Sequence, residues 1–321
     1  MVRFNTILSP LCRLDLPSGT KDLDVRILKE LTSPSSFQWN FRESFSTIGK
    51  KLGADPETVR ATLKRSSQFG LVEKWRLMIN PELFGMKLAG VELEAIDEER
   101  KSSAVSQLKL VEGVSEIFDF HGKALRVIFY FEDEFTLVRK IELIKSICGF
   151  QGTPPSWVSN LPQSGIKLRG IDWRVIKAVL HDPRAKTMVI ARGLGVSRRT
   201  VNRRLRRLSG AHVAYVIPVR NVKKSRGTFC SFIVFYRGSG LKATMEYLSS
   251  RNARIDFVYE AAKGTLILTL VTDNPADADE LHRGIKGLEG VSEVRMGLMN
   301  DFIFVDDWID RMVARKVAGS N

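Results

Sequence analysis

Residues 198–208 read RRTVNRRLRRL, with six arginines, one asparagine and no acid. On a helical wheel Val201, Leu205 and Leu208 share a narrow arc that must face a core. Arg199, Asn202, Arg203 and Arg206 point away from that arc, and Arg207 sits at its margin. The guanidinium fork fits guanine O6/N7, a carboxamide fits adenine N6/N7, and the flanking cations suit phosphates. A merely solvated helix face mixes signs, because opposite charges support one another at helical spacing. Six like charges repel unless a polyanion is near, so the expected partner is double-stranded DNA.

The rest of the charge agrees. The chain has 321 residues and a formal net charge of +14, yet residues 1–160 hold 22 basic and 21 acidic side chains. Residues 167–226 hold 17 basic residues against Asp172 and Asp182 alone. A nucleic acid is the first candidate for such a block and an anionic membrane surface the second. The basic segment after the helix adds Lys223, Lys224 and Arg226 to the expected DNA-binding set of Arg198, Arg199, Thr200, Asn202, Arg203, Arg206 and Arg207. A basic hairpin there would grip the backbone rather than the bases.

Other chemistries find little support. There is no phosphate-binding glycine loop, dinucleotide fingerprint, HExxH or nucleophile elbow. His121, His181, His212 and His282 are scattered, and Cys12, Cys148 and Cys230 form no CxxC pair. Asp306-Asp307 and Glu132-Asp133-Glu134 suit helix N-termini better than a metal. The expectation is a non-enzymatic chain with no catalytic residues, no metal and no cofactor. No apolar run reaches the roughly 18 residues of a membrane span, and no signal-peptide core is evident. A cytoplasmic, nucleoid-associated protein without membrane partners is expected.

The elements that position these residues occur twice. DVRILK (24–29) aligns with DWRVIK (172–177), and IGKKLGADPETVRATLKR (48–65) aligns with IARGLGVSRRTVNRRLRR (190–207). Each copy predicts a helix (22–31; 172–181), then a short helix (47–52; 188–194) stopped by Gly53 or Gly195. A third helix follows, N-capped by Asp55 or Ser197. The first copy's outward face is Glu57, Arg60, Ala61 and Lys64, so Thr58, Arg60 and Lys64 are its candidate DNA contacts, weakened by an acid. Trp75, between Lys74 and Arg76, is expected to pack rather than stack on a base.

Behind each third helix comes a β-α-β-β-α pattern. Strands are expected at 88–95, 115–122 and 125–131, then at 229–236, 254–260, 265–271 and 291–299. Helices are expected at 98–110 and 134–148, then at 241–251 and 276–288, and a terminal helix at 306–317. Pro154 and Pro155 would confine the first copy's last strand to an edge or a strand start. The fold class is α+β, with two winged helix-turn-helix modules alternating with two ferredoxin-like (βαββαβ) modules in tandem repeat. The expected boundaries are winged helix 21–87, ferredoxin-like 88–150, linker 151–168, winged helix 169–226, ferredoxin-like 227–305 and C-terminal helix 306–321.

LGADPETVRATLKRSSQFGLV, followed by INPELFG (79–85), resembles the winged helix-turn-helix of the Lrp/AsnC family of transcriptional regulators. The pattern behind it resembles that family's regulatory domain. The resemblance implies sequence-preferring DNA binding and self-association through the ferredoxin-like modules, as a homodimer or an internal pseudo-dimer. It also implies a possible small-molecule effector. The family's Gly-Asp-x-Asp-like turn is replaced here by His121-Gly122-Lys123-Ala124 and Ala261-Ala262-Lys263-Gly264, which lack its acid. Siroheme decarboxylases share this build and are one alternative, with His121 and Arg126 as the suggestive pair. A non-specific architectural chromatin protein is the other.

Overall fold

The structure is a computed structural model that describes residues 40–68, 73–219, 221–224, 227–251 and 253–319. The expected helix at 22–31 lies outside the described residues. The first half runs α1 (Phe45–Leu52), α2 (Pro56–Gln68), β1 (Lys74–Ile79), β2 (Lys87–Glu94), α3 (Glu98–Leu108), β3 (Val114–Phe120), β4 (Ala124–Phe131), α4 (Glu134–Cys148) and β5 (Ser156–Val158). The second runs α5 (Gly170–Val179), α6 (Thr187–Leu194), α7 (Arg198–Ser209), β6 (Ala214–Val219), β7 (Thr228–Tyr236), α8 (Gly240–Ser250), β8 (Arg254–Ala262), β9 (Thr265–Thr272), α9 (Pro275–Lys286), β10 (Val291–Phe304) and α10 (Asp307–Ala318). The fold is α+β, and the order β-α-β-β-α-β occurs twice.

The expected punctuation is in place. Gly53 and Gly195 end α1 and α6 in the left-handed region, at φ of 67° and 65°. Asp133 caps α4 by accepting the Thr136 N–H at 2.8 Å. β5 follows Pro154 and Pro155 directly and forms one edge of its sheet.

Two sheets result. One has eight antiparallel strands in the order β5-β2-β4-β3-β10-β7-β9-β8, and the other is a two-stranded ribbon of β1 and β6. Alternation along the strands splits the large sheet's side chains between two faces. Ala89, Val91, Leu93, Val127 and Phe129 pack outward with Ile144 of α4, and Leu266, Leu268 and Leu270 pack with Leu248 of α8. Leu88, Ile128, Tyr130, Ile233 and Ile267 face inward and join the core of the second winged helix through Tyr215 and Val216 of the ribbon. Both faces of β4 and β9 are therefore covered, and those strands are buried nearly throughout. The Asn160 N–H donates to the Ala261 carbonyl at 3.1 Å, so the chain after β5 meets β8 and the sheet curls round.

Two expectations need correction. β10 does not stop at residue 299. It pairs with β7 through Leu298, takes a bulge at Asn300, and continues against β3 from Asp301 to Phe304. The polar pair Asn300-Asp301 follows the end of the expected strand. In the structure Asn300 instead donates to Asp119 at 2.7 Å, and the strand runs on. Likewise β6 is not one arm of a local hairpin. Its partner is β1, from the other half of the chain, in a register running from Lys74 opposite Val219 to Ile79 opposite Ala214.

Candidate nucleic-acid interface

Ser197 opens α7. Its hydroxyl accepts the Thr200 N–H at 3.1 Å and lies 3.0 Å from the Thr200 hydroxyl. Val201, Leu205 and Leu208 are buried, as the wheel requires. Arg198, Arg199, Arg203 and Arg206 are exposed and Asn202 is half-buried. These five line one shallow concavity. No acidic side chain interrupts it, so the surface offers a field of donors to an anion.

Arg207 behaves differently. It donates to Asp172 Oδ2 at 3.1 Å and to the Lys167 carbonyl at 3.0 Å, while Arg204 reaches Asp172 Oδ1 at 3.3 Å. Asp172 is fully buried and also accepts the Arg169 N–H at 2.9 Å, closing a capping box on α5. Arg207 is thus turned toward the supporting helix rather than outward with Arg203. Sequence reasoning counted Asp172 only as charge. Its signal was a lone acid, at the third position of a helix, within a strongly basic stretch. Arg174 adds a second brace by donating to the Leu194 carbonyl at the end of α6, at 2.8 Å.

Lys223 is exposed but pairs with Asp301 at 2.8 Å, and that hydrogen-bonded carboxylate pushes its pKa up. Lys224 lies in a short 3₁₀ turn, and Arg226 falls outside the described residues.

In the first winged helix Asp55 accepts the Glu57 N–H at 2.7 Å, the Thr58 N–H at 3.1 Å and the Thr58 hydroxyl at 2.7 Å. These donors hold its carboxyl below the usual range, the Thr58 hydroxyl most of all. Thr58 is therefore engaged in the cap. Arg60 pairs with Glu57 and lies over the Phe45 ring, and Lys64 is exposed. On β1, Arg76 is buried and pairs with Asp306 at 2.6 Å, and Lys74 reaches the same carboxylate at 3.1 Å. Asp306 stands at the N-cap of α10, so these cations clamp the C-terminal helix. Trp75 is half-buried and packs on the cluster of Ile48 and Val59, as expected.

The two winged helices touch. Arg42 donates to the carbonyls of Pro183 and Ala185 at 2.7 and 3.0 Å, and Arg184 donates to the Glu43 carbonyl at 3.0 Å. The Arg184 guanidinium lies 4.7 Å from the Phe45 ring centroid. Burial, with Arg42 nearby, lowers its pKa to about 10. His121 and Arg126 are not brought together. His121 is exposed at the end of β3, whereas Arg126 is buried on the inner face of the sheet.

The fold and this surface define a winged helix-turn-helix protein joined to ferredoxin-like units. Residues 170–209 match the AsnC-type helix-turn-helix domain, so the chain carries that domain and the Lrp/AsnC resemblance stands. HTH-type transcriptional regulator Ptr1 of Methanocaldococcus jannaschii is 27% identical over 101 residues, 32% of this chain and 64% of that regulator. The chain thus spans just under two thirds of that relative's length. The crystal structure of siroheme decarboxylase NirDL superposes with a TM-score of 0.53 at 12% identity, over 92% of this chain and 99% of that one. Its co-complex with an iron-uroporphyrin III analogue gives 0.54 at 13%, over 94% and 100%.

At such identities the likeness is one of fold. It nevertheless corrects the expectation of a non-enzymatic chain, because nearly the whole architecture is one that also carries an enzyme. Contiguous motifs report sites built on one loop. A site assembled from side chains on several strands leaves no such motif, so their absence does not exclude catalysis. Among the described residues, no three His, Cys, Asp or Glu side chains are grouped to hold a metal ion, and no helix is long and apolar enough to cross a membrane.

Proposed function

We propose that the chain is a sequence-preferring regulator of transcription that binds double-stranded DNA and reads the major groove mainly with α7. The observation that carries this is the acid-free surface of Arg198, Arg199, Asn202, Arg203 and Arg206 on a helix whose opposite side is locked into a core. The AsnC-type domain over the same residues and the curated relative support the broader statement, a DNA-binding regulator. Arg199, Asn202 and Arg203 reach base edges, and Arg198 and Arg206 hold phosphates. Lys223, Lys224 and Arg226 add backbone contacts. Thr58, Arg60 and Lys64 make the weaker contacts of the first winged helix. The protein works in the cytoplasm on the nucleoid. The β1–β6 ribbon and the continuous sheet support an internal pseudo-dimer, with winged helices at 21–87 and 169–226 and ferredoxin-like units at 88–150 and 227–305.

A salt titration of binding to duplex DNA tests this. If about six phosphates are neutralised, log affinity falls against log salt with a slope near −5. A flat slope, or no binding at low salt, rejects the proposal. Equal affinity for specific and competitor DNA would instead indicate an architectural protein.

The whole-chain likeness to siroheme decarboxylase favours a second reading, a tetrapyrrole-handling enzyme on the same fold. Titration with an iron-uroporphyrin is its test, with a shifted absorbance band as the expected result and an unchanged spectrum as the refutation.

A further inference from the structure

The curled sheet bounds a partly open cavity of about 150 Å3 bordered by the ribbon residues Tyr215, Val216 and Ile217. That is the size of an engineered protein cavity that takes up benzene. Seven of its nineteen lining residues are aromatic, among them Phe118, Trp157, Phe257 and Phe302 on strands of both halves. Two features set its chemistry. Among the described lining residues the one cation, Arg126, is already committed. It donates to Glu92 Oε2 at 2.9 and 2.6 Å and to the Ser231 hydroxyl at 2.7 Å, and its plane lies among Phe118, Phe120 and Trp157. Glu116, opposite Ile128 and lining the cavity, meets no such cation among the described residues. Burial alone pushes its carboxyl up to about 7. The cavity therefore combines π faces with a carboxyl, Glu116, that meets no cation among the described residues, which favours a cation and disfavours an anion.

We propose that this cavity binds a small aromatic amine, its ring between the aromatic walls and its ammonium on Glu116, and that occupancy adjusts the ribbon on which both winged helices are mounted. The second clause rests on the regulator reading above. β6 begins four residues beyond Gly210, the C-cap of α7, and β1 continues from the first winged helix, so a ligand wedged beneath Tyr215 and Val216 pushes on both. A carboxylate ligand would instead meet Glu116 as a like charge.

The experiment uses the full chain and three probes of equal ring size: benzylamine, benzyl alcohol and benzoate. Binding is followed at pH 7.5 by Trp157 fluorescence, with a Trp157→Phe control, and by calorimetry. Benzylamine is expected to bind at least about tenfold more tightly than benzyl alcohol, the equivalent of about 1.4 kcal/mol, and benzoate weakest. Glu116→Gln should erase the preference while benzyl alcohol still binds, showing that the cavity is intact. Ile267→Phe, which fills the space, should remove binding of all three. No saturable binding, a preference that survives Glu116→Gln, or tighter binding of benzoate overturns the site.

Duplex affinity is then measured with and without saturating benzylamine, and a change of about threefold or more is expected. Proven ligand binding without that change overturns the coupling. Ligand binding by a chain with no affinity for DNA rejects the regulator reading and leaves the site standing.

Discussion

Asp172 is the residue on which the second winged helix turns. A carboxylate with no exposure, two guanidinium partners and a backbone N–H is stable only while all of them remain. Asp172→Ala leaves Arg204 buried without its counter-ion, while Arg207, being partly exposed, recovers water. A loss of about 2–3 kcal/mol is expected, at the lower end for a broken buried pair. Denaturant unfolding measures it, and an unchanged midpoint would show that the pair only decorates the core. Glu116 gives the opposite sign of pH dependence from most carboxyls. Its folded pKa, about 7, lies above its ordinary 4.5, so the native state holds the proton more tightly. That contribution is complete below pH 4.5, declines as pH rises through 7, and is absent above. Tyr130 and Tyr215 face it and stay neutral in this range, burial holding both well above their usual pKa, and Arg126 is matched by Glu92. Glu116→Gln should therefore flatten the decline between pH 5 and 8, worth about 1–3 kcal/mol. Urea midpoints at the two pH values test this, and parallel curves for variant and parent would refute it.

At the scale of elements, α2 and α7 share one scaffold and differ in what they present. α7 shows five exposed arginines, four of them on one concavity, and no acid, whereas α2 shows Arg60 tied to Glu57, and Lys64. Changing Arg199 and Arg203 together to Ala should lower affinity for a specific duplex about a hundredfold or more and erase its advantage over competitor DNA. Changing Arg60 and Lys64 to Ala should cost about tenfold or less and leave the advantage intact. Equal losses in a gel-shift series would remove the asymmetry. The difference was legible in sequence, because a wheel needs only local spacing, and so were the glycine stops at Gly53 and Gly195. What escaped was non-local. Nothing near Ala214 announces that its strand pairs with Ile79, and the bulge at Asn300 hides the half of β10 that reaches β3. The outward set on α7 was readable from periodicity, but the diversion of Arg207 onto Asp172 depends on how α5 crosses α7. Glu116 gave no signal, since an acid within an apolar strand reads as the solvated side of an alternation until the sheet curls over it.

At the scale of the molecule, β10 makes the two halves one body. Its first part completes the second unit and its second part completes a pairing with β3, so eight strands form a single sheet. The ribbon of β1 and β6 joins the halves again above the cavity, and Arg42 and Arg184 link the winged helices directly. On the proposed DNA-binding reading, two readers fixed to one frame cannot be respaced freely, and α7 outweighs α2. A symmetric dimer of one-reader chains selects half-sites of equal weight about 34–36 Å apart. This chain should select a strong element for α7 flanked on one side by a weakly specified stretch under α2. Hydroxyl-radical footprinting of one chain per duplex should show protection that is lopsided about the strong element. Inverting that element should flip the pattern, and Arg60→Ala with Lys64→Ala should fade only the weaker flank. A palindromic footprint, bound by two chains and lost as a whole in that double variant, would mean that strong readers meet across a dimer and that the internal pairing does not set the spacing on DNA.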